Sequence, residues 1–205
     1  VMLFFTPGAS GAGKSTIIPI VRQQLPDFEV YDFDSHPVQD EIGFMTTPEQ
    51  RQQVAEAWIQ TALTNGAQHT LVCGLGVMGE VLACPSAPQL DHIAFCLLDC
   101  ADLERLDRIR RRGDRENADM NMLCWSAWLR VHHVDPQFRP DVINTGKNPN
   151  MVWSRWAGWD RSHPDWRCHY VDTTHLTPQQ TAEQVVEWIH AEQALYTGGY
   201  GLVLN

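Results

Sequence analysis

The stretch GASGAGKST, residues 8–16, decides the fold, and it follows directly on the apolar run VMLFF, residues 1–5. It matches the pattern G-x-x-x-x-G-K-[ST], with Lys14 and Ser15 closing the match. The pattern needs glycines because backbone N–H groups turn inward around phosphates, where a Cβ would stand in the way. We expect Lys14 to reach the outer phosphates, the Ser15 hydroxyl to face Mg²⁺, and the following helix to point its unpaired N–H groups at the anion. The predicted nucleotide contacts in this loop are Gly8, Ala9, Ser10, Gly11, Ala12, Gly13, Lys14, Ser15 and Thr16.

Length and charge limit the classes of protein that fit. A chain of 205 residues predicts one domain, 1–205, and 43% hydrophobic with 20% charged residues is ordinary for a globular protein. No apolar stretch approaches the roughly 20 residues that span a bilayer, so no membrane segment is expected. The net charge of -10 argues against a broad nucleic-acid surface, which needs positive charge to attract phosphates. The oligomeric state is left open.

The six cysteines indicate a reduced environment. They form no C-x-x-C pair, and several lie inside apolar runs such as LVCG and AFCLLDC, where a thiol packs as a small hydrophobe. The chain start lacks the basic, apolar and small-residue layout of a signal peptide. We therefore expect a cytoplasmic location.

Buried apolar runs alternate with helical segments along most of the chain. Strands are predicted at 1–6, 28–34, 69–76, 92–100 and 167–174. Helices are predicted at 101–114 and after the glycine loop, where Pro19 should kink the helix or shorten its hydrogen-bond ladder. Two further helices are predicted from their start signals. The first begins with Thr47, Pro48 and Gln50 and ends before Gly66, and the second begins with Thr177, Pro178 and Gln180. The alternation predicts a three-layer α/β/α fold around a five-stranded parallel sheet.

Residues 117–166 interrupt this alternation. They hold six of the eight tryptophans, namely Trp125, Trp128, Trp153, Trp156, Trp159 and Trp166. We predict a helical, tryptophan-rich insert here, over the nucleotide side, with the core formed by 1–116 and 167–190. The spacing of three from Trp153 to Trp159 has two interpretations. These side chains either line one helix face and stack on a sugar or base ring, or pack the insert's own core, and the second is preferred.

Two aspartates close the second predicted strand, in YDFD. Asp32 and Asp34 lie two residues apart, so on a strand their side chains face the same way, at the edge where ligands of open α/β sheets bind. We assign Asp34 as the base that orients and deprotonates an acceptor hydroxyl, and Asp32 to the water shell of Mg²⁺. The alternative is that both merely form the turn that ends the strand.

A cluster of positive charge occupies the predicted helix 101–114 and its end. Six of the thirteen arginines lie within eleven residues, namely Arg105, Arg108, Arg110, Arg111, Arg112 and Arg115. Arg112 and Arg115 flank the helix end and are predicted to close on the nucleotide as a lid, stabilising charge on the transferring group. Arg108 is a further candidate nucleotide contact. The alternative is a solvated basic face paired with acidic neighbours, and we expect it to hold entirely for Arg105 and Arg110.

Four stretches in this order, GASGAGKST, DFDS, RRRGDR and VDTTHLTPQQTA, resemble the P-loop small-molecule kinases related to shikimate kinase and gluconate kinase. Chloramphenicol phosphotransferase-like kinases are the nearest members by this resemblance. It implies a P-loop fold, ATP and Mg²⁺ as cofactors, an activating aspartate at Asp34, and lid arginines at Arg112 and Arg115. It also implies that the loop 172–175 lies by the adenine, with Thr173 and Thr174 as contacts. The tryptophan-rich insert and Pro19 depart from the family pattern.

The function predicted from these features is ATP-dependent transfer of a phosphoryl group to a hydroxyl of a small molecule, such as an antibiotic, a sugar or a nucleoside. A 5′-hydroxyl nucleic-acid kinase is the alternative enzyme, disfavoured by the acidic charge. A non-catalytic nucleotide switch is the other alternative, although no N-K-x-D motif occurs. A toxin-type kinase acting on a sugar nucleotide, and a preference for GTP, both stay open. Zinc is not expected, because HPDWRCH (163–169) lacks a matching second ligand pair.

Overall fold

Five parallel strands form one sheet at the centre of the molecule. The computed structural model describes residues 1–43, 45, 47–144 and 148–197. Its strands are β1 Met2–Pro7, β2 Glu29–Asp32, β3 His69–Gly74, β4 His92–Asp99 and β5 His169–Asp172. Their order in the sheet is β2-β3-β1-β4-β5, and each neighbouring pair runs parallel. All five predicted strands are present, although their boundaries differ from the predicted ones.

Helices cover both faces of this sheet. They are α1 Lys14–Gln24, α2 Val38–Ile42, α3 Pro48–Thr64, α4 Met78–Ala83, α5 Asp102–Arg111, α6 Met120–His132, α7 Asp141–Asn144 and α8 Pro178–Thr197. On one face, Val21 of α1 and Trp188 of α8 are buried in one apolar cluster with Phe4 of β1. On the other face, α3 and α4 pack in a second cluster around Phe5. The predicted three-layer arrangement is confirmed.

Two predicted helix starts are present in atomic detail. The Thr47 hydroxyl accepts a hydrogen bond from the backbone N–H of Gln50 at 3.3 Å, and the Gln50 side chain accepts one from the backbone N–H of Thr47 at 3.1 Å. Thr177 and Gln180 make the same reciprocal pair before α8, at 2.9 and 3.2 Å. Each pair satisfies two backbone donors that a helix start leaves without partners. By contrast, α1 runs from Lys14 to Gln24 with Pro19 inside it, so the proline does not end the helix.

The central strand delivers the glycine loop to one edge of the sheet. Every residue of β1 and of β4 is buried, because helices cover both faces and β1 has neighbours on both sides. β1 ends at Pro7, and residues 8–13 connect it to α1. Parallel strands end at a common edge, so the residues after β2, β3 and β5 lie at the same edge as this loop. The sheet topology therefore gathers the predicted site residues at one end.

The segment proposed as an insert packs into the main core. It contains α6, α7 and a 3-10 turn over Trp153–Arg155. Trp128, Trp156 and Trp166 belong to the buried cluster formed with α3 and α4. Trp156 is 2% exposed, and its indole N–H donates to the carbonyl oxygen of Gly79 in α4 at 2.8 Å. The preferred interpretation, in which Trp156 packs in a core, is confirmed, because Trp156 contacts Trp153 and Trp166 within the insert. The same cluster continues into the core that covers the sheet, and Trp156 is too deeply buried to stack on a ligand. Residues 117–166 stay the proposed extent of the insert.

All six cysteines are free thiols, and they differ in exposure. Cys73, Cys84, Cys96 and Cys100 are buried, whereas Cys124 on α6 is exposed. Desolvation by burial raises the pKa of the Cys73 thiol, and that of the Cys168 thiol, to about 12. The predicted packing of thiols inside apolar runs is thus confirmed for the four buried ones, while the cytoplasmic location stays a prediction. Among the described residues, no helix has the length and apolar character to cross a membrane.

Candidate active site

The glycine loop has the backbone that its sequence pattern predicts. Gly11 and Gly13 have φ values of +81° and +96°, a left-handed conformation that favours glycine. A Cβ at Gly8 would lie 2.4 Å from the carbonyl oxygen of Leu98 on the neighbouring strand β4. Gly13 is the N-cap of α1, and no side chain of the described residues caps that first turn by a hydrogen bond. The start of α1 therefore offers backbone donors and its positive dipole end to an anion.

Lys14 lies at the centre of the charged groups around this loop. Its ammonium donates to the carbonyl oxygen of Ala9 at 3.0 Å. Desolvation by burial lowers its pKa from 10.5 to about 8, and the positive charges of Arg105 and Arg112 act in the same direction. The negative charges of Asp34 and Asp32 oppose that change. The charges of Lys14 and of both predicted carboxylates thus act on one another.

Asp34 lies in a turn and not in the strand, which corrects the prediction. β2 ends at Asp32, and residues Phe33–Ser35 form a 3-10 turn. The Asp32 carboxylate caps this turn by accepting a hydrogen bond from the backbone N–H of Asp34. The turn is fixed from behind, where the indole N–H of Trp58 donates to the carbonyl oxygen of Phe33 at 2.9 Å. Gly74, at the end of β3, makes room for it, because a Cβ there would lie 2.0 Å from the Phe33 Cβ.

The environment of Asp34 suits a proton acceptor. Its side chain is exposed, so a substrate can reach it. Partial desolvation and the neighbouring Asp32 charge raise the pKa of Asp34, while Lys14 pulls it back. A carboxylate with a raised pKa holds a proton more readily than an ordinary one, which is the property that a general base needs.

A cavity of about 260 Å³ lies directly over the glycine loop. Its lining includes Gly13, Lys14, Ser15, Thr16, Arg108 and Arg112. A second cavity of about 290 Å³ shares Gly13, Thr16 and Arg108 with the first and extends to Thr173 and Leu176. The two cavities adjoin at these three shared residues, between the loop and the residues after β5. Larger cavities of about 540 and 510 Å³ lie elsewhere, one beside Phe28 and His69 and one beside Met151, without the donors of the loop.

The residues after β5 are tied to the glycine loop through Arg108. Its guanidinium donates to the Thr173 hydroxyl at 3.0 Å, to the Thr173 carbonyl at 2.6 Å and to the Thr174 carbonyl at 3.2 Å. It also donates to the carbonyl oxygen of Gly11 at 3.2 Å. Arg108, Thr173 and Thr174 are therefore brought together with the loop, and Thr173 lines the second cavity.

The two predicted lid arginines differ in position. Arg112 lines the cavity over the loop and pairs with Asp114 at 2.9 Å, at the exposed end of α5. Arg115 lies in the 3-10 turn Arg115–Asn117, is exposed, and is absent from the described lining of both cavities. The structure thus brings Arg112 to the loop and does not bring Arg115 there.

Arg105 is the site residue that the sequence interpretation missed. Predicted to be solvated, it is 0% exposed and forms an ion pair with Asp99, while its second nitrogen donates to the carbonyl oxygen of Ser10 at 2.8 Å. The helical spacing contains the signal, because Ile109 is fully buried and lies four residues later on the same face of α5. Arg110, by contrast, pairs with Asp107 at 3.5 Å in solvent, as predicted.

The predicted magnesium ligands fit the chemistry of that ion. Mg²⁺ takes oxygen ligands, usually one or two protein side chains, and completes its shell with water and substrate phosphate oxygens. Ser15 offers a hydroxyl in the lining of the cavity, and Asp32 offers a carboxylate whose charge acts on Lys14. Among the described residues, no group of three or more histidine, cysteine, aspartate or glutamate side chains is arranged for a metal.

Comparison with known proteins addresses the fold. No protein-family model matches this chain, and no curated protein matches it. Solved structures do match over nearly the whole length. A gluconokinase from Sinorhizobium meliloti is 15% identical with a TM-score of 0.55, covering 96% of both chains. A sugar kinase from Janibacter sp. is 15% identical with a TM-score of 0.55, covering 95% of this chain and 98% of that one. A shikimate kinase from Acinetobacter baumannii, in complex with shikimate, is 16% identical with a TM-score of 0.51, covering 92% and 93%.

The fold is the one seen in these gluconate, sugar and shikimate kinase structures. The resemblance inferred from four short stretches is thereby confirmed at the level of the fold, since gluconate and shikimate kinases are among the matches. The closer likeness to chloramphenicol phosphotransferase stays a prediction. A shared fold determines where the loop and the strand ends lie, but the substrate is determined by the individual side chains at the site.

Proposed function

We propose that this chain is an ATP- and Mg²⁺-dependent kinase that transfers the γ-phosphate to a hydroxyl group of a small molecule. One observation supports the proposal above all: the charges of Asp34 and Asp32 both act on Lys14. A phosphate-binding cation and two carboxylates at one site form the combination that phosphoryl transfer to an alcohol requires. The matching gluconate, sugar and shikimate kinases support the same class of reaction.

Each residue of the proposed machinery has one task. The backbone donors of the loop and the start of α1 bind the phosphates, and Lys14 pairs with their outer oxygens. Ser15, and Asp32 through water, hold Mg²⁺, which supplies positive charge against the phosphate oxygens when it is bound. Arg112 adds a second positive charge from the cavity wall. Arg108 and Thr173 line the adjoining cavity, where the nucleoside is expected, and the Thr174 carbonyl oxygen accepts a hydrogen bond from Arg108 beside it.

The proposed transfer uses Asp34 as the base. The carboxylate accepts the proton of the acceptor hydroxyl as that oxygen attacks the γ-phosphorus. The bond between the γ-phosphorus and the oxygen that bridges it to the β-phosphate breaks, and ADP leaves. The acceptor becomes a phosphate monoester, and the proton stays on Asp34 until it is lost to solvent. The expected acceptors are antibiotics, sugars and nucleoside-like compounds.

A panel of acceptors tests the proposal. Purified protein with MgATP is mixed with hydroxylated metabolites, antibiotics and a 5′-hydroxyl oligonucleotide, and ADP release that depends on the acceptor is recorded. We expect release with at least one small molecule, and loss of that release in Lys14→Ala. Release with the oligonucleotide alone would reassign the acceptor class. Nucleotide binding without any acceptor-dependent release would leave a nucleotide switch in place of a kinase.

A further inference from the structure

Four successive carbonyl groups of the glycine loop each accept a hydrogen bond from a side chain. Lys14 donates to Ala9, Arg105 to Ser10, Arg108 to Gly11 and the Thr173 hydroxyl to Ala12, at 3.0, 2.8, 3.2 and 3.0 Å. In a trans peptide the C=O and the following N–H point in opposite directions. Arg105 reaches its carbonyl, that of Ser10, from the buried interior, whereas Lys14 and Arg108 also line the cavity over the loop. Holding the Ser10 carbonyl from the interior turns the next N–H, that of Gly11, to the opposite side of the loop.

Arg105 is the most deeply buried of these donors. Its side chain is 0% exposed, and one nitrogen pairs with Asp99 at the end of β4 and also donates to the carbonyl oxygen of Cys100 at 3.2 Å. Its other terminal nitrogen reaches Ser10. A guanidinium is a planar fork, so fixing one arm on the sheet fixes the direction of the other.

Asp99 is itself held by three elements of the fold. While one carboxylate oxygen pairs with Arg105, the other accepts from the Tyr170 hydroxyl of β5 at 3.3 Å and lies 3.3 Å from Nε of Arg130 on α6. Arg130 also donates to Asp102 at the start of α5, at 3.1 Å. The carboxylate that orients Arg105 is therefore fixed from β4, β5 and α6 together.

Burying this pair gains little stability. Taking two charges out of water costs nearly as much as their attraction returns, so a buried ion pair is often no better than an apolar contact. What the pair does provide is a fixed position for one loop peptide. We propose that Arg105, oriented by Asp99, is a positioning residue that aims the Gly11 N–H of the glycine loop at phosphate. This inference rests on the proposed function, because it assumes that the loop binds a nucleotide.

Arg105→Lys tests the proposal. A lysine keeps the positive charge for Asp99, but its single ammonium cannot hold both Asp99 and Ser10 as the fork does. Isothermal titration with MgADP and with magnesium tripolyphosphate, which engages the phosphate site alone, measures the effect. We expect both Kd values to rise about ten-fold, the scale of one hydrogen bond from a charged donor. A purely structural role would lower Tm and leave both Kd values within two-fold of wild type.

Arg155→Lys is the matched control. Arg155 also donates to backbone carbonyls, those of Leu82 and Cys84, at the end of α4 and away from the glycine loop. It should lose Tm without a change in either Kd. A ten-fold rise in Kd for this control would overturn the inference, because general loosening would then explain the effect of Arg105→Lys.

A double variant covers the case in which Arg105→Lys fails to fold. Asp99→Asn with Arg105→Gln replaces the ion pair by two amides, leaves no buried charge, and shortens the arm toward Ser10. The same rise in both Kd values is expected, and wild-type values in this folded variant would overturn the positioning role. If wild-type protein itself binds neither MgADP nor tripolyphosphate, the proposed function fails and this inference falls with it. Wild-type binding with unaffected variants removes the inference alone.

Discussion

The Asp32 carboxylate accepts a hydrogen bond from the backbone N–H of Asp34 at 3.1 Å. The residue proposed for the magnesium shell thus also holds the turn that presents the proposed base. Two roles that the sequence assigns to neighbouring side chains are mechanically linked. A change at Asp32 therefore alters both, whereas a change at Asp34 leaves the turn intact, since Asp34 contributes only its backbone to that bond.

Asp34→Asn should separate catalysis from binding. The amide keeps the shape and cannot accept the hydroxyl proton, so kcat should fall by at least about two orders of magnitude, while the Kd of MgADP stays at the wild-type value. Single-turnover kinetics and titration calorimetry measure the two quantities. Asp40→Asn, an exposed carboxylate on α2, serves as the control and should change neither. Unchanged transfer in Asp34→Asn would assign the base to another residue.

The rate should follow a bell-shaped pH profile. Asp34 must be deprotonated to act, and its pKa is raised by desolvation and by Asp32, so kcat/KM should fall as the pH drops through that raised pKa. Lys14 must be charged to hold phosphate, and its pKa is lowered to about 8 by burial, so kcat/KM for ATP should fall above about pH 8. In Asp34→Asn the acid limb should vanish and the alkaline limb should remain. If the acid limb persists in this variant, a group other than Asp34 causes it.

The two lid arginines should differ in importance. Arg112 lines the cavity over the loop, so Arg112→Ala should lower kcat about ten-fold or more by removing positive charge from the transferred group. Arg115→Ala should change kcat by less than about two-fold, the range of a surface substitution. Steady-state kinetics of both variants against ATP give the comparison. A larger loss at Arg115 would mean that the segment after α5 moves onto the nucleotide during turnover.

Trp156 should behave as a core residue. Because it is 2% exposed and bonded to Gly79, Trp156→Ala should lower the free energy of unfolding by about 3–5 kcal/mol, the usual cost of removing a large buried ring. Urea unfolding measures this, and KM for ATP and for the acceptor should change in parallel. Leu103→Ala, on a side chain that is 71% exposed, should cost less than about 0.5 kcal/mol. A selective rise in the acceptor KM would place Trp156 in the substrate site.

Local sequence signals predicted the strands, the helix starts and the glycine loop of this molecule. Glycine spacing, reciprocal caps such as Thr47 with Gln50, and unbroken apolar runs act over a few residues, so a sequence window contains them whole. The tertiary partners of Arg105 are distant, because Ser10 lies 95 residues away, and a run of arginines is typical of a solvated face. Asp34 lies outside the strand because its backbone N–H bonds to the Asp32 carboxylate and not to the neighbouring strand. Trp156 bonds to Gly79, which lies 77 residues away, and sequence periodicity does not predict such a contact.

The uneven exposure of the six thiols makes the natural chain a convenient spectroscopic reporter. A maleimide dye reacts with the thiolate form of cysteine. Because burial raises the pKa of Cys73 and of Cys168, both side chains are almost entirely protonated at neutral pH, whereas Cys124 is exposed on α6. That helix also carries Arg130, one of the groups that grip Asp99. A dye attached to Cys124, without any mutagenesis, would thus lie on a helix that contacts the buried pair of Asp99 and Arg105. The fluorescence of this dye during a nucleotide titration would report whether that helix responds to nucleotide binding.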